Sequence, residues 1–204
     1  MRFEEVTLGG PPELADFYAD VLELPRAGDA IRIGETTLRF APQDGEPFYH
    51  FAFLLPGDRF DAALTWAQAR VELLGDVFDS DAWDSRAVYF HDPAGNIVEL
   101  IAHHGREENG RRSGGFDAQE LVGFSELGIV GDRPELLRRL EAVGLELWDG
   151  TVEAESRLAF VGEQGRTLIL APPGRGWMPT GRPAEPYPVE LVLELDRTRV
   201  PLSF

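Results

Sequence analysis

The stretch that decides the fold is YFHDPAGNIVEL at residues 89–100. Apolar residues precede and follow the DPAGN segment, which predicts two antiparallel strands joined by a tight turn. Proline fixes φ at the second position of the turn, and glycine permits a positive φ two residues later. Glu99 interrupts the second apolar run. A carboxylate in such a strand costs free energy unless a cation or a hydrogen-bond donor meets it, so Glu99 is a candidate functional residue.

Length and composition limit the class of protein to which this hairpin belongs. The chain has 204 residues, of which 43% are hydrophobic, enough to bury the core of one large domain or two small ones. No apolar run approaches the roughly 20 residues that cross a bilayer, and MRFEEVTL carries acids where a signal peptide is basic. These features predict a cytoplasmic protein. The absence of cysteine excludes disulfides and thiolate metal sites.

The charge of the chain limits its partners. The formal net charge is −17, and all 19 basic residues are arginine. A surface this acidic repels phosphate backbones and anionic lipids, which argues against nucleic acid and membrane partners. Two explanations of the acidity stay open: a genome that favours arginine codons, or a high-salt cytosol.

A repeated unit organises the whole chain. Helices predicted at residues 14–22, 60–71 and 134–143 each follow a short strand and precede further strands. The first strands of the units match position by position, with EVTL at 5–8, HFAF at 50–53, ELGI at 126–129 and ELVL at 190–193. Strand periodicity places the second and fourth residues of each set under the helices and the ionisable first residue on the opposite face.

This repeat predicts an α+β fold built from tandem βαβββ modules. We expect paired modules over residues 1–105, a Gly-rich charged linker at 106–119, and a third module with the first strand of an incomplete fourth at 120–204. An incomplete module leaves a sheet edge or an apolar face uncovered, which predicts a homodimer.

The βαβββ repeat, the helix motif FYADVLEL, the strand HFAF and above all DPAGNIVEL resemble the vicinal oxygen chelate superfamily. That superfamily includes glyoxalase I, extradiol ring-cleaving dioxygenases and the fosfomycin and bleomycin resistance proteins. The resemblance covers residues 1–104 well and the remainder more loosely. It implies U-shaped mixed sheets with helices on the convex face and a divalent metal ion on the concave face.

The resemblance also implies a ligand set. His50 and Glu99 match metal-ligand positions, and Glu5 occupies the first module's position, which is usually His or Gln. The strand at residues 36–40 offers no acid as a fourth ligand. One imidazole and two carboxylates suit Zn²⁺, Mn²⁺, Fe²⁺ or Ni²⁺ and leave positions open for a bidentate substrate. The second carboxylate favours harder ions and weakens the case for iron and dioxygen.

Each candidate ligand has a plainer interpretation. His50 could be a hydrogen-bonded structural residue, Glu99 could form a salt bridge with Arg39 or Arg86, and Glu5 could be exposed at a frayed end.

Five other residues complete the candidates. Glu5 and His103 are the candidate catalytic residues; His103 follows Glu99 by four positions on the same strand face and could carry protons, or it could be a solvent-exposed residue at a strand end. We expect His91 and His104 on the surface. We expect Glu126 and Glu190 to bind no metal.

Two functions follow from the ligand set and its alternatives. The first is a metal-dependent lyase, isomerase or dioxygenase-type enzyme acting on a small substrate that chelates the ion through two adjacent oxygens. The second is a metal-free binding protein like the bleomycin-sequestering members, for which an acidic chain suits a cationic ligand. The presence of His50 and Glu99 favours the enzyme. The loop at residues 172–188, which contains Trp177, could cover a cleft or pack on its own domain.

Overall fold

A computed structural model describes residues 1–106, 113–154 and 157–204 of the chain. Residues 107–112, most of the first half of the predicted linker, lie outside the described residues. The strands within the described ranges are β1 (Arg2–Gly9), β2 (Arg26–Ala27), β3 (Ala30–Ile33), β4 (Thr36–Ala41), β5 (His50–Leu55), β6 (Phe78–Ser80), β7 (Ser85–His91), β8 (Ile97–His103), β9 (Gly123–Val130), β10 (Leu147–Gly150), β11 (Ala159–Glu163), β12 (Arg166–Ala171), β13 (Gly176–Trp177), β14 (Arg182–Pro183), β15 (Val189–Leu195) and β16 (Thr198–Ser203).

The helices lie where the apolar periodicity predicts them. Helix α1 begins as Leu14–Asp16 and continues as a π-helical segment at Phe17–Val21, α2 spans Phe60–Gln68, and α3 spans Arg133–Glu141. The side chain of Asp132 caps α3 by accepting a hydrogen bond from the Glu135 backbone N–H at 2.9 Å. None of the helices in the described ranges has the length and apolar content that a membrane crossing requires.

The strands form two large sheets that pair the modules in an unexpected way. The six-stranded sheet has the order β16-β15-β1-β4-β3-β2, and the eight-stranded sheet has the order β10-β11-β12-β9-β5-β8-β7-β6. The first module therefore pairs with the fourth, and the second pairs with the third. Residues 1–105, predicted as one pair of modules, are divided between the two sheets. The fourth module also contributes β16, a strand that the sequence analysis does not predict.

The larger of two apolar clusters in the described residues lies between the sheets and the helices. Tyr18 of α1 connects the two sheets, because its ring lies 5.5 Å from that of Phe40 on β4 and 6.3 Å from that of Phe53 on β5. Phe51 on β5 stacks on Phe124 on β9 at 5.4 Å, which packs the second and third modules against each other. The sheets curl as the resemblance implies, so the α+β fold with U-shaped sheets is confirmed.

The second half of the predicted linker is packed against α2. Phe116 is buried and its ring lies 5.5 Å from that of Trp66. Glu120 accepts hydrogen bonds from Arg59 at 2.8 and 3.1 Å, and both side chains are buried. Phe116, the Arg59–Glu120 pair and a capping turn at Asp117 hold this segment. None of these gives the periodic signal from which an ordered element is recognised.

Candidate metal centre

Three strands of the eight-stranded sheet bring His50, Glu99 and Glu126 onto its concave face. Strand β8 runs parallel to β5 with Glu99 opposite Ala52, and β9 runs antiparallel to β5 with Glu126 opposite Ala52. His50 lies two residues before Ala52 and so points to the same face. The small side chain of Ala52 leaves the space in which the three larger side chains converge.

The three side chains can share one ion. Each offers a ligand atom that lies within 4.8 Å of the other two, and the His50 Nε2 and Glu99 Oε2 atoms are 3.5 Å apart. Their exposed fractions are only 6%, 3% and 4% for His50, Glu99 and Glu126. A tetrahedral zinc ion about 2.1 Å from each ligand would hold ligand atoms roughly 3.4 Å apart. Small side-chain rotations would close the remaining distance.

Burial governs the protonation of this group. Burial raises the pKa of Glu99 well above its usual value, and the charge of the neighbouring Glu126 raises it further. The Tyr89 side chain lowers this pKa by a smaller amount. Burial raises the pKa of Glu126 to about 7 and lowers that of His50 to about 4. His50 is thus neutral at pH 7, as a metal ligand must be, and two buried carboxyl groups face the same space. These donors fit a divalent metal ion.

The DPAGN turn positions His50. The Asp92 carboxylate accepts hydrogen bonds from the Asn96 backbone N–H at 3.0 Å and from the Tyr18 hydroxyl at 2.6 Å. The Asn96 side-chain oxygen in turn accepts from the Tyr49 N–H at 2.7 Å, next to His50. Gly95 has φ 79°, which favours glycine. The motif therefore fixes the start of β5 against the turn that precedes β8.

Residues 172–188, hereafter the strap, cover the three side chains. Trp177 is buried, and its ring centroid lies 5.0 Å from that of His50. A Cβ atom added at Gly128 would lie 2.8 Å from Cη2 of Trp177, so only glycine leaves room for the indole. Arg182 ties the strap to the DPAGN turn by donating to the Gly95 carbonyl at 3.1 Å. The strap covers the sheet, as one of the two interpretations of this loop predicts.

A cavity of about 270 Å³ adjoins the three side chains. Its walls are largely aromatic and include Trp83, Tyr89, Phe160 and Trp177, and Arg175 lines it as well. Trp83 closes one side, because its ring lies 4.6 Å from that of Phe160 on the neighbouring module. A mostly apolar cavity with a few converging polar groups is the usual form of a small-molecule site.

Glu5 does not join His50 and Glu99. It lies on β1 in the six-stranded sheet, where its carboxylate accepts hydrogen bonds from Arg39 at 3.3 Å and from Arg199. Because β1 pairs with β4 and β15, its concave face belongs to the other sheet. The third member of the cluster is Glu126, for which the sequence analysis expected no metal. The repeat alignment placed Glu126 at the same position as His50, but the pairing of the second and third modules was needed to bring them together.

The remaining candidates lie outside the cavity. His103 is buried on the Glu99 face of β8, with Nδ1 3.4 Å from the Trp83 carbonyl oxygen, and it does not line the cavity. Burial lowers the pKa of His103. His91 and His104 are exposed, as expected. Glu190 is exposed on the six-stranded sheet.

The two arginines considered as partners of Glu99 have other partners. Arg86 forms ion pairs with Asp61 and Asp79, and Arg39 pairs with Glu5. Neither reaches Glu99, so the salt-bridge interpretation of that residue finds no support here.

No protein-family model matches the sequence, and no curated protein matches it. Solved structures do resemble the fold. The "putative dioxygenase" from Bacillus subtilis aligns with 84% of this chain and 63% of its own at 19% identity and a TM-score of 0.55. Glyoxalase I from Zea mays aligns with 83% of this chain and 66% of its own at 14% identity and a TM-score of 0.54.

The chain has the fold of these two proteins. It spans less than two thirds of the length of either. The predicted resemblance is thus confirmed at the level of the fold. At these identities the likeness concerns the fold alone.

Proposed function

We propose that this protein is a metal-dependent enzyme of the glyoxalase or dioxygenase type, acting on a small substrate that chelates a divalent ion through two adjacent oxygens. The ion would be held by His50, Glu99 and Glu126. The observation that carries the proposal is the convergence of these three side chains, from three strands, within 4.8 Å in a buried site. Three protein ligands leave coordination positions for a substrate.

The chain's own groups would prepare the substrate for reaction. A bound divalent ion would act as a Lewis acid that stabilises negative charge on the substrate oxygens. Tyr89, which lies directly opposite Glu99 on the neighbouring strand, would fix the orientation of that carboxylate. Trp177 would exclude water from the His50 side of the site, and the aromatic walls would orient the substrate.

A metal-free binding protein is the second candidate. One observation favours it: two buried carboxyl groups adjoin a cavity with walls formed by Trp83, Tyr89 and Trp177. Aromatic faces and carboxylates together are suited to an organic cation. The experiment on metal binding separates the two candidates.

Purified protein should contain about one equivalent of a divalent metal per chain. Treatment with EDTA should lower the melting temperature, and Zn²⁺ or Mn²⁺ should restore it, because a ligand at a hundredfold excess over its Kd stabilises the folded state by about 2.7 kcal/mol. Elemental analysis and calorimetry measure the two effects. Protein that takes up no metal, and whose melting ignores EDTA, would exclude the enzyme.

Matched variants assign the ligands. Glu126→Gln and His50→Ala should abolish metal uptake and the response to EDTA. Glu190→Gln, at the equivalent position of the other sheet, and His91→Ala, on the surface, should change neither. If Glu126→Gln kept metal uptake and Glu5→Gln lost it, the metal ligands would include Glu5 and not Glu126, as the sequence alone suggests.

We also propose that the protein is a cytoplasmic homodimer. The support for the dimer is the position of β16 at an edge of the six-stranded sheet. Light scattering coupled to size-exclusion chromatography tests this, and a monomer at micromolar concentration would contradict it.

A further inference from the structure

The cavity beside the candidate metal centre, hereafter the slot, is lined by several aromatic rings. Trp83, Phe160 and Trp177 line it, and the rings of Trp83 and Phe160 contact each other at 4.6 Å. Phe78 and Met178 also line it and are 42% and 45% exposed, so they mark its mouth, whereas His50, Glu99 and Glu126 are buried at its inner end. Aromatic faces favour stacking on a flat ring system. A planar ligand of about one or two rings fits a volume of about 270 Å³.

Arg175 places a positive charge on the wall of this slot. Backbone hydrogen bonds hold its segment of the strap: the Ala184 N–H donates to the Arg175 carbonyl and the Gly174 N–H donates to the Ala184 carbonyl, both at 2.7 Å. The Arg175 guanidinium donates to the Gly176 carbonyl at 2.6 Å. Among the described residues, no carboxylate lies within ion-pairing distance of it. Most of its donors therefore stay available to a ligand.

The acidity of the chain makes the surroundings of Arg175 informative about its ligand. The sequence has 36 acidic and 19 basic residues, so an arginine finds carboxylate partners easily, as Arg2, Arg39 and Arg86 do. A guanidinium that lines a cavity without such a partner is suited to an anionic ligand group.

Asp149, the third acid of the lining, does not reverse this preference. Its Oδ2 accepts a hydrogen bond from the Trp83 indole at 2.8 Å, and its Oδ1 accepts from the Gly150 backbone N–H at 2.7 Å. Oδ2 thus holds Trp83 at the slot, and Oδ1 is occupied by the backbone of Gly150. Glu99 and Glu126 belong to the candidate metal centre, where an ion would neutralise them.

We propose that the ligand of this cavity is a flat, ring-containing molecule with an anionic substituent, such as a carboxylate, which Arg175 binds while the ring lies between the aromatic walls. That the ligand also carries two adjacent oxygens rests on the proposed function. The anion site rests on Arg175 and the slot.

Paired probes that differ in one charge test this proposal. With Zn²⁺-saturated protein, 2,3- and 3,4-dihydroxybenzoate are compared with their amides by quenching of tryptophan fluorescence. At least one acid should bind about tenfold more tightly than its amide, because a charge-assisted hydrogen bond contributes that much. In Arg175→Gln this ratio should fall to about one, with the affinity for the amides unchanged. Arg32→Gln, which removes an exposed arginine of β3 remote from the cavity, should keep the ratio.

The same comparison without metal separates this proposal from the proposed function. EDTA-treated protein is titrated with 2-naphthoate, 2-naphthamide and a naphthyl trimethylammonium salt. If the protein takes up no metal but still prefers the naphthoate through Arg175, the enzyme proposal fails and the anion site stands. Equal binding of acid and amide by folded wild-type protein would overturn the anion site. A preference for the ammonium salt would overturn it in favour of a cation-binding pocket.

Discussion

The two large sheets are built from the same modules, yet within the described residues only the eight-stranded sheet forms a buried cluster of side chains that could hold a metal ion. In the eight-stranded sheet, His50 and Glu126 meet Glu99 beneath Trp177. In the six-stranded sheet, Glu5 lies in ion pairs with Arg39 and Arg199, and its side chain is 41% exposed. The strand pairings match, so the difference comes from individual residues.

The register identifies those residues. Thr7 lies opposite Glu190 and Arg39 in one sheet, just as Ala52 lies opposite Glu126 and Glu99 in the other. Arg39 therefore occupies the position that corresponds to Glu99. Val192, opposite Glu5, occupies the position of Gly128. In the six-stranded sheet, the Arg39 guanidinium replaces a carboxylate, so the chain itself supplies the positive charge. The Val192 side chain replaces a glycine and leaves no space for an indole to cover the sheet.

Substitutions at Glu99 and Arg39, the corresponding charged residues of the two sheets, should have the largest effect on metal affinity. Glu99→Arg removes a ligand and adds a positive charge, so metal affinity should fall by more than about 100-fold, the upper range for the loss of even an outer-shell partner. Titration with a competing chelator measures the loss, and circular dichroism verifies the fold. Glu99→Gln provides a neutral comparison. Arg39→Glu should not gain a metal site, because its sheet face is open; tight metal binding by that variant would contradict the comparison.

Substitutions at Gly128 and Val192, the second corresponding pair of the two sheets, should have the next largest effect. Gly128→Val places atoms where Trp177 lies, and overpacking of this kind costs about 1–3 kcal/mol of unfolding free energy. Val192→Gly, on the half-exposed face, should cost less than about 1 kcal/mol, the span of strand propensities. Urea unfolding measures both. Acrylamide quenching should show a more accessible tryptophan in Gly128→Val but not in Val192→Gly. Unchanged quenching in Gly128→Val would mean that the Trp177 indole does not depend on the space at Gly128.

The two sheets should also differ in their response to pH. Folding raises the pKa of Glu99 and raises that of Glu126 to about 7, so the folded metal-free protein binds more protons than the unfolded chain above pH 4.5. This stabilisation is complete at low pH and is lost as the pH rises through the folded-state pKa values. The unfolding free energy of EDTA-treated protein should thus fall by roughly 1–3 kcal/mol between pH 6 and 8.

His50 acts in the opposite direction over a lower range. Folding lowers its pKa to about 4, so it destabilises the protein as the pH falls below about 6.5 and does not affect the window between pH 6.5 and 8. Glu99→Gln with Glu126→Gln should flatten the slope in that window, and Glu190→Gln should not. A metal-free protein equally stable at pH 6 and 8 would contradict the burial of ionisable carboxyl groups.

Removing the charge of Glu5 should have the smallest effect. Its partners Arg39 and Arg199 are 39% and 60% exposed, and ion pairs in such surroundings contribute little and are screened by salt. Glu5→Gln should leave metal content unchanged and shift the urea midpoint only slightly, with the shift disappearing at 1 M salt. A large loss of stability, or any loss of metal, would show that this sheet is more than an ion-paired surface.

Sequence reasoning located most of the elements and two of the three clustered residues. The hairpin at residues 89–100, the strand HFAF and three helices follow from apolar periodicity and turn chemistry, which are local. Strand β16 was missed because its turn has no glycine, although Asp196 and Arg197 adopt positive φ of 49° and 67°, and because Pro201 interrupts the strand.

The sequence by itself determined the repeated module, the two faces of each sheet and the placement of His50 and Glu99 on one of them. Only the tertiary structure decided which modules share a sheet, and with it that Glu126, and not Glu5, meets these residues. The reason is physical, because backbone hydrogen bonds do not distinguish one strand from another. Which strands pair is therefore decided by side-chain contacts between residues far apart in the sequence, such as Phe51 on Phe124. Such packing leaves no trace in local periodicity.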